Sequence, residues 1–203
     1  MAHDRDVAAF DQRAPRYESG WLGKLHHDIA DRAADLALSR CPAPRRILDV
    51  GCGTGYLLRE LAARVPAAAE LAGIDAAPAM IETARQMASA AADDDRLHFT
   101  EGVAEQIPYP GETFDLVVST TSFDHWAEQQ GGLTECARVL RPRGHLVLVD
   151  QFSWWLRPTL LLSRRGKVRT KLRATRLLAA AGFRSPQWHG LYAVIIQAVT
   201  ATK

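Results

Sequence analysis

Cysteine is scarce in this chain of 203 residues. Cys41, Cys52 and Cys136 are odd in number and widely separated, so they form neither a credible disulfide framework nor the spacing of a thiolate metal site. Their pattern fits a reducing compartment, and we expect a cytoplasmic protein with no bound metal.

Long apolar runs are missing too. No stretch is long enough to span a bilayer, and residues 1–6 are too polar for a secretory signal. We therefore expect no transmembrane segment, although contact with a membrane surface stays open. Hydrophobic residues make up 47% of the chain, which is enough for a sizeable core in one domain.

Acidic residues are absent from the last quarter of the chain. Residues 151–203 contain ten Lys or Arg and no Asp or Glu, although the net charge of the whole chain is only +2. An asymmetry of this kind can indicate an anionic partner. The basic run could meet an acidic substrate, a carrier protein or an anionic membrane surface, or could simply be a solvated helix.

Three glycines stand at alternate positions in residues 51–55, between a buried-strand pattern at 47–50 and helically spaced leucines from Leu57 onward. A strand that turns through glycines into a helix brings backbone N–H groups and the positive helix end close to a ligand. We interpret this turn as a site for a nucleotide-like cofactor.

The rest of the chain alternates between helical and strand patterns. The patterns predict helices at 3–17, 22–39, 55–65, 78–91, 127–140 and 170–181, and strands at 45–50, 71–75, 96–101, 114–119, 146–149 and 191–200. This order predicts an α/β fold with a mostly parallel sheet and helices on both faces.

The glycine spacing restricts the choice of cofactor. It is G-x-G-x-G, not the G-x-G-x-x-G of dinucleotide dehydrogenases, and no G-K-[ST] of a phosphate-binding loop follows. Asp75 ends the second strand twenty residues after Gly55, where a carboxylate can accept both hydroxyl protons of a ribose. The pattern indicates a nucleoside site without a phosphate cradle.

Five segments carry a family resemblance in the same order: ILDVGCGTG at 47–55, GID at 73–75, GVAEQIPY at 102–109, FDLVVS at 114–119 and ECARVLRPRG at 135–144. With these segments the chain resembles the class I S-adenosylmethionine-dependent methyltransferases, in particular the small-molecule enzymes of ubiquinone and menaquinone biosynthesis. The resemblance implies a Rossmann-like, doubly wound sheet of seven strands whose final strand is antiparallel. It also implies one domain, with a helical lid at 1–40, a cofactor-binding core at 41–150 and an acceptor-side segment at 151–203.

The resemblance implies that the cofactor is S-adenosyl-L-methionine and the product S-adenosyl-L-homocysteine. Asp49 would orient the cofactor's amino group, unless the backbone satisfies it, and Asp75 would hold the ribose. The other implied cofactor contacts are Tyr17 in the lid, Gly51, Gly53, Gly55 and Ser119 beside the methionine portion, and Ala76, Met80, Val103 and Ala104 around the adenine.

Two of these assignments, those of Met80 and Val103, are open to another interpretation. Met80 could equally be a plain core residue. The family often has an acidic residue where Val103 stands, so the adenine amino group must find its acceptor elsewhere, at Glu105 or on the backbone.

The residues that would bind the acceptor are harder to predict from the sequence. His125, beside Asp124, follows the fourth strand and is the best candidate for a general base, although it could merely wall the pocket with Trp126 and Phe123. Asp124 could orient His125 or cap the next helix. His26 could be a second base or belong to a solvated face, and adjacent histidines on a helix are poor partners for one metal.

The acceptor itself is inferred from the aromatic stretch that contains Trp154 and Trp155, in the place where the family builds part of its acceptor pocket. An aromatic-lined pocket suggests a hydrophobic aromatic or polyketide-like small molecule, methylated on oxygen or carbon. The sequence T-T-S after Ser119 lacks the Pro-Pro-Tyr/Phe motif of amino-directed DNA methyltransferases, so we expect no DNA partner. An RNA or protein methyltransferase that docks through the basic tail, and a non-methylating cyclase or accessory member, remain as alternatives.

Overall fold

The structure is a computed structural model that describes residues 2–68, 70–90, 95–152, 170–192 and 195–203. The side chains of residues 2–6 and 90 lie outside the description. Within these ranges no helix combines the length and apolar character needed to cross a membrane.

Seven strands form one sheet in the order β3-β2-β1-β4-β5-β7-β6. The strands are β1 (Arg46–Val50), β2 (Glu70–Asp75), β3 (Leu97–Glu101), β4 (Phe114–Thr120), β5 (Leu140–Gln151), β6 (Arg184–Tyr192) and β7 (Ile196–Thr202). β1 to β5 pair in parallel, whereas β7 is antiparallel to both β5 and β6. This is the mostly parallel Rossmann-like sheet with an antiparallel last strand that the sequence analysis predicted.

Helices cover both faces of the sheet. They are α1 (Ala2–Arg13), α2 (Gly20–Arg40), α3 (Tyr56–Arg64), α4 (Pro78–Ala90), α5 (Gln129–Val139) and α6 (Lys171–Ala180), with a 3-10 turn at Ala14–Arg16. Successive strand residues face opposite sides, so Ile47 packs with α2, α3 and α4 whereas Leu48 packs with α5 and α6. The central strands β1, β2 and β4 are therefore buried on both faces, whereas β3 and β6 at the sheet edges are more exposed.

The order of the strands positions the functional edge. β1 lies between β2 and β4, so the chain reverses its direction of winding there, and the carboxyl ends of all three strands meet. Open α/β sheets bind ligands at such a switch point. Val50, Asp75 and Thr120 end these three strands.

The C-terminal strand prediction was wrong. The run 191–200 was predicted as one strand, but β6 ends at Tyr192 and β7 begins at Ile196, so the chain folds back as an antiparallel hairpin. The run 191–200 contains no obvious turn signal, so the sequence did not indicate a chain reversal there. The first half of β6 is polar and contains proline, which is not typical of a strand. β5 also begins at Leu140, before the predicted start at 146, because Leu140 pairs with Phe114.

Candidate active site

Two adjoining cavities open at the switch point. The larger has a volume of about 700 Å³ and lies between Asp75, Met80, His125 and Trp126. The smaller, of about 490 Å³, contains Asp49, Thr54 and His26. Both are lined by Tyr17, Gly51, Gly53, Thr120 and Thr121, so the glycine turn forms their common wall.

Gly51 and Gly53 can line both cavities at close range because they carry no side chains. Gly51 has φ +76°, and a Cβ there would lie 2.3 Å from the Ser122 hydroxyl. Gly53 has φ +53° and donates its N–H to Asp75 Oδ2 at 2.9 Å. Gly55 starts α3 at φ +78° but packs against the ring of Phe99 and lines neither cavity, so it shapes the turn rather than the cavity wall.

Asp75 is held by its own backbone surroundings. Its carboxylate accepts the N–H groups of Gly53 and Ala77, both at 2.9 Å. Burial raises the pKa of this carboxyl, although the two N–H groups act in the opposite direction. A carboxylate has about four acceptor positions, so two remain for the pair of hydroxyls on a ribose.

Asp49 is a buried acid with an unsatisfied oxygen. The residue is 1% exposed, and its Oδ1 has no hydrogen-bond partner. Burial, followed by the nearby charge of Asp75, raises its pKa to about 8. A buried, unpaired carboxyl costs free energy unless a donor or cation meets it. It lies in the smaller cavity, and the ammonium of a cofactor's methionine portion would supply that partner.

His125 stands at the other end of the larger cavity. Its Nε2 lies 3.3 Å from Asp124 Oδ1, and its ring meets Phe10 of α1 edge-on at a centroid distance of 5.0 Å. The Asp124 N–H donates to the buried carboxylate of Asp150 at 3.1 Å. The loop that carries His125 is thus anchored to the end of β5.

Trp126 is positioned through Ser122. The Ser122 hydroxyl donates to the Val50 carbonyl at 2.9 Å and accepts the Trp126 indole N–H at 3.3 Å. Ser119 is fully buried behind it, with its Oγ 2.8 Å from that of Ser122, and lines neither cavity. Ser122, and not Ser119, therefore forms the wall at this position.

The N-terminal segment covers the glycine turn. Tyr17 stacks on His26 at a centroid distance of 4.8 Å, and its ring lies near Gly53. Burial, with the charge of Asp75 second, raises the pKa of Tyr17 to about 12, so its hydroxyl stays a donor. Burial and the neighbouring His27 lower the pKa of His26. His26 lines the smaller cavity beside Asp49, not the part of the larger cavity near His125.

The remaining predicted residues divide into three groups. Ala76, Met80, Val103 and Ala104 line the larger cavity beside Asp75. Phe123 is 2% exposed and packs against Trp126 and Phe152 in the core, so its assignment to the acceptor wall was wrong. Trp154 and Trp155 lie outside the described residues.

Sequence reasoning missed several cavity residues: Val7 and Phe10 from α1, Thr120 at the end of β4, and Thr121 and Ser122 directly after it. Thr121 has φ +52°, which is strained for a β-branched residue and is typical of functional sites. The apolar residues of α1 could have been found as one face of a short amphipathic helix. Nothing in the sequence signals the strain at Thr121.

Residues 47–144 match the family model described as a methyltransferase domain. The chain is similar to the class I S-adenosylmethionine-dependent methyltransferases. The residues of the two cavities fit the cofactor of this family, since the cavities contain an orphaned acid, a carboxylate with open acceptor positions and two glycines at positive φ.

Relatives with assigned names are similar over part of their length. The chain is 39% identical to a demethylmenaquinone methyltransferase of Deinococcus radiodurans, over 70% of this chain and 58% of that protein. It is 36% identical to the 27-O-demethylrifamycin SV methyltransferase of Amycolatopsis mediterranei, over 66% of this chain and 47% of that protein. The chain therefore spans about half to three fifths of the length of these relatives.

A solved structure confirms the fold. A chain in the complex of the Haloferax volcanii Trm112 methyltransferase activator with a methyltransferase superposes with a TM-score of 0.77, over 95% of this chain and 96% of that chain. The two sequences are 20% identical.

Proposed function

We propose that this protein transfers the methyl group of S-adenosylmethionine to an oxygen or carbon atom of a small hydrophobic acceptor. The observation that carries the proposal is the pair of joined cavities. One side presents Asp75, Asp49 and the glycine turn, which suit a nucleoside with an amino-acid end, and the other side presents Phe10, His125 and Trp126.

In this proposal the cofactor extends across the glycine turn. Asp75 accepts the ribose hydroxyls, Met80, Ala76, Val103 and Ala104 surround the adenine, and Asp49 receives the ammonium. Glu105 lines the same cavity and already accepts the Glu128 N–H through Oε1. Because a carboxylate has about four acceptor positions, Glu105 can still accept a bond from the adenine amino group, which the Val103 side chain cannot.

When bound, the cofactor supplies an electrophilic methyl group on a sulfonium. The protein's contribution is then to place a nucleophile and to exclude water, and proximity alone can supply roughly 7–11 kcal/mol of such a barrier. His125 would accept the proton of an acceptor hydroxyl or acidic carbon, with Asp124 stabilising the imidazolium. Phe10 would close this end of the cavity from above.

The named relatives support a small-molecule acceptor, because one is a demethylmenaquinone and another a demethylrifamycin methyltransferase. Apolar and aromatic residues at the His125 end of the cavity are consistent with a ring-shaped, hydrophobic acceptor. The domain division at 1–40, 41–150 and 151–203 and a cytoplasmic location stay predictions of the same proposal.

The alternatives make different predictions. A tail-docking RNA or protein methyltransferase would bind its partner in a strongly salt-dependent manner, and much of the basic run lies at residues 153–169, outside the described part of the chain. A non-methylating member would bind the cofactor and release no S-adenosylhomocysteine with any acceptor.

The direct test has two stages. Calorimetry should first detect binding of S-adenosylhomocysteine by the wild-type chain and a loss of at least about tenfold in affinity for Asp75→Ala. Demethylated quinones and polyketides are then screened for release of S-adenosylhomocysteine. If His125 is the base, His125→Ala should retain cofactor binding and lose about 10²-fold or more in turnover. Full turnover by this variant would show that His125 only lines the pocket.

A further inference from the structure

Glu18 occupies the junction between the N-terminal segment and the glycine turn. Its carboxylate accepts the Thr54 hydroxyl at 2.5 Å and the Arg59 guanidinium at 2.8 and 3.1 Å. Thr54 is 2% exposed, and the side chains of Glu18 and Arg59 are 17% and 16% exposed. Charge-assisted bonds that are this well shielded from water are stronger than those of surface ion pairs.

The backbone of Glu18 is fixed as well. Gly23 of α2 packs on its carbonyl so closely that a Cβ would lie 2.2 Å from the oxygen. His27 of α2 places its Nε2 3.2 Å from Glu18 Oε2, and Arg59 also donates to the Thr54 carbonyl at 2.6 Å. Glu18 thus joins α2, α3 and the glycine turn.

Tyr17 precedes Glu18 directly, and its position follows from these contacts. The Tyr17 ring lies 3.8 Å from the Cβ position of Gly53 and lines both cavities. Asp75, on the ribose side of the turn, is instead held by the N–H groups of Gly53 and Ala77. Among the described residues, no hydrogen bond joins its carboxylate to Glu18, Thr54 or Arg59. The two ends of the cofactor site therefore depend on different anchors.

We infer that Glu18 is a positioning residue. Its bonds to Thr54 and Arg59, which we call the latch, hold the N-terminal segment against the glycine turn, so that Tyr17 closes over the amino-acid end of the cofactor. The inference rests on the proposed function and deepens it. Glu18 also lines the smaller cavity. Its carboxylate already meets Thr54, both bonds from Arg59 and His27, which fill its roughly four acceptor positions, so it acts through Tyr17.

The experiment compares two ligands that differ in the amino-acid end. S-adenosylhomocysteine carries it and 5′-deoxy-5′-methylthioadenosine does not. Glu18→Gln keeps the shape of the side chain but loses the charge that pairs with Arg59. By calorimetry we expect the affinity for S-adenosylhomocysteine to fall about tenfold and that for methylthioadenosine to change less than about twofold.

Three controls make the result interpretable. Glu60→Gln removes a partner of the exposed Arg64 on the same helix as Arg59 and should leave both affinities unchanged. Thr54→Val removes one hydroxyl from the latch, should fold even if Glu18→Gln does not, and should show the same ligand-selective loss. In the wild type, S-adenosylhomocysteine should protect the exposed Arg13 and Arg16 from trypsin, and in Glu18→Gln this protection should weaken.

Equal losses for the two ligands would overturn the inference, because they would show a general loosening of the site. Unchanged binding of S-adenosylhomocysteine by both latch variants would overturn it too. If the wild-type chain binds neither ligand, the proposed function itself fails. If the wild type binds both ligands and Glu18→Gln and Thr54→Val bind them equally well, only the inference about Glu18 fails.

Discussion

At the residue scale, the site depends on carboxyls that folding would otherwise disfavour. Asp49 is buried with an orphaned oxygen, and Asp75 lies close enough to raise its pKa further. Only a bound donor or cation can recover the cost of these desolvated groups. A substitution that removes the Asp49 carboxyl should therefore stabilise the protein without cofactor and weaken the binding of the cofactor.

Asp49→Asn should stabilise the protein in the absence of cofactor. The pKa of Asp49 rises from an ordinary value of 3.8 to about 8. Between these values the unfolded chain has released a proton that the folded chain retains, so this residue lowers the free energy of unfolding as the pH increases. We expect the variant to gain about 1–3 kcal/mol at pH 7 and little at pH 4, measured by urea unfolding at both pH values.

The same substitution should change the proton balance of binding. If the cofactor's ammonium pairs with Asp49, wild-type binding of S-adenosylhomocysteine at pH 7 releases a proton, and Asp49→Asn reduces that release. Calorimetry in buffers of different ionisation enthalpy measures it. An unchanged proton count would mean that the ammonium meets another group.

Two glycines offer a matched comparison of backbone requirements. Gly51→Ala places a Cβ 2.3 Å from the Ser122 hydroxyl at a φ of +76°, so it should cost at least about 2 kcal/mol and weaken cofactor binding. Gly190→Ala, in β6, meets open space and should change stability by less than about 0.5 kcal/mol. Chemical denaturation of both variants tests the pair, and equal stabilities would contradict this account of the turn.

At the element scale, α1 acts as a cover more than as part of the core. Phe10 meets His125, and the Asp11 carboxylate accepts the Ala79 N–H at the start of α4 at 3.0 Å. Val7 and Phe10 also pack against a small buried cluster that contains Ala77 and Met80. The sheet and its two layers of helices carry the main clusters of buried side chains. Changes in α1 should therefore affect binding more than folding.

Phe10→Ala should separate these two effects. We expect it to weaken binding of S-adenosylhomocysteine about three- to tenfold while the free energy of unfolding falls by less than about 1.5 kcal/mol. Phe114→Ala, at a fully buried position, should instead cost about 3–5 kcal/mol. Calorimetry and urea unfolding of both variants check the contrast, which would fail if Phe10→Ala were as destabilising as Phe114→Ala.

At the scale of the whole molecule, one sheet carries both halves of the candidate site. In the proposed function β1, β2 and β4 supply the cofactor edge, and the loop after β4 supplies the acceptor edge. A ligand at this edge should stabilise the entire sheet. With S-adenosylhomocysteine at a hundred times its Kd, the free energy of unfolding should rise by about 2.7 kcal/mol. Asp75→Ala, with an affinity at least about tenfold lower, should show an increase of no more than about 1.4 kcal/mol at the same ligand concentration. Thermal unfolding with and without ligand measures both.

Much of this protein could be predicted from local patterns. Alternating apolar strands and helices specified the parallel sheet, and the glycine spacing with Asp75 predicted a nucleoside site, because these features depend on residues that are near one another in the chain. The hairpin between β6 and β7 could not be read in this way, since a continuous apolar run contains its reversal.

The sequence by itself determined the fold class and predicted which edge of the sheet carries the candidate cofactor site, because strand burial and a glycine-rich turn follow from residue type and spacing. Only the tertiary structure decided that Ser122 and not Ser119 lines the cavity, that Phe123 belongs to the core and that Phe10 meets His125. These outcomes depend on how strand ends and a distant helix pack together, and packing across long sequence separations leaves no local pattern in the chain.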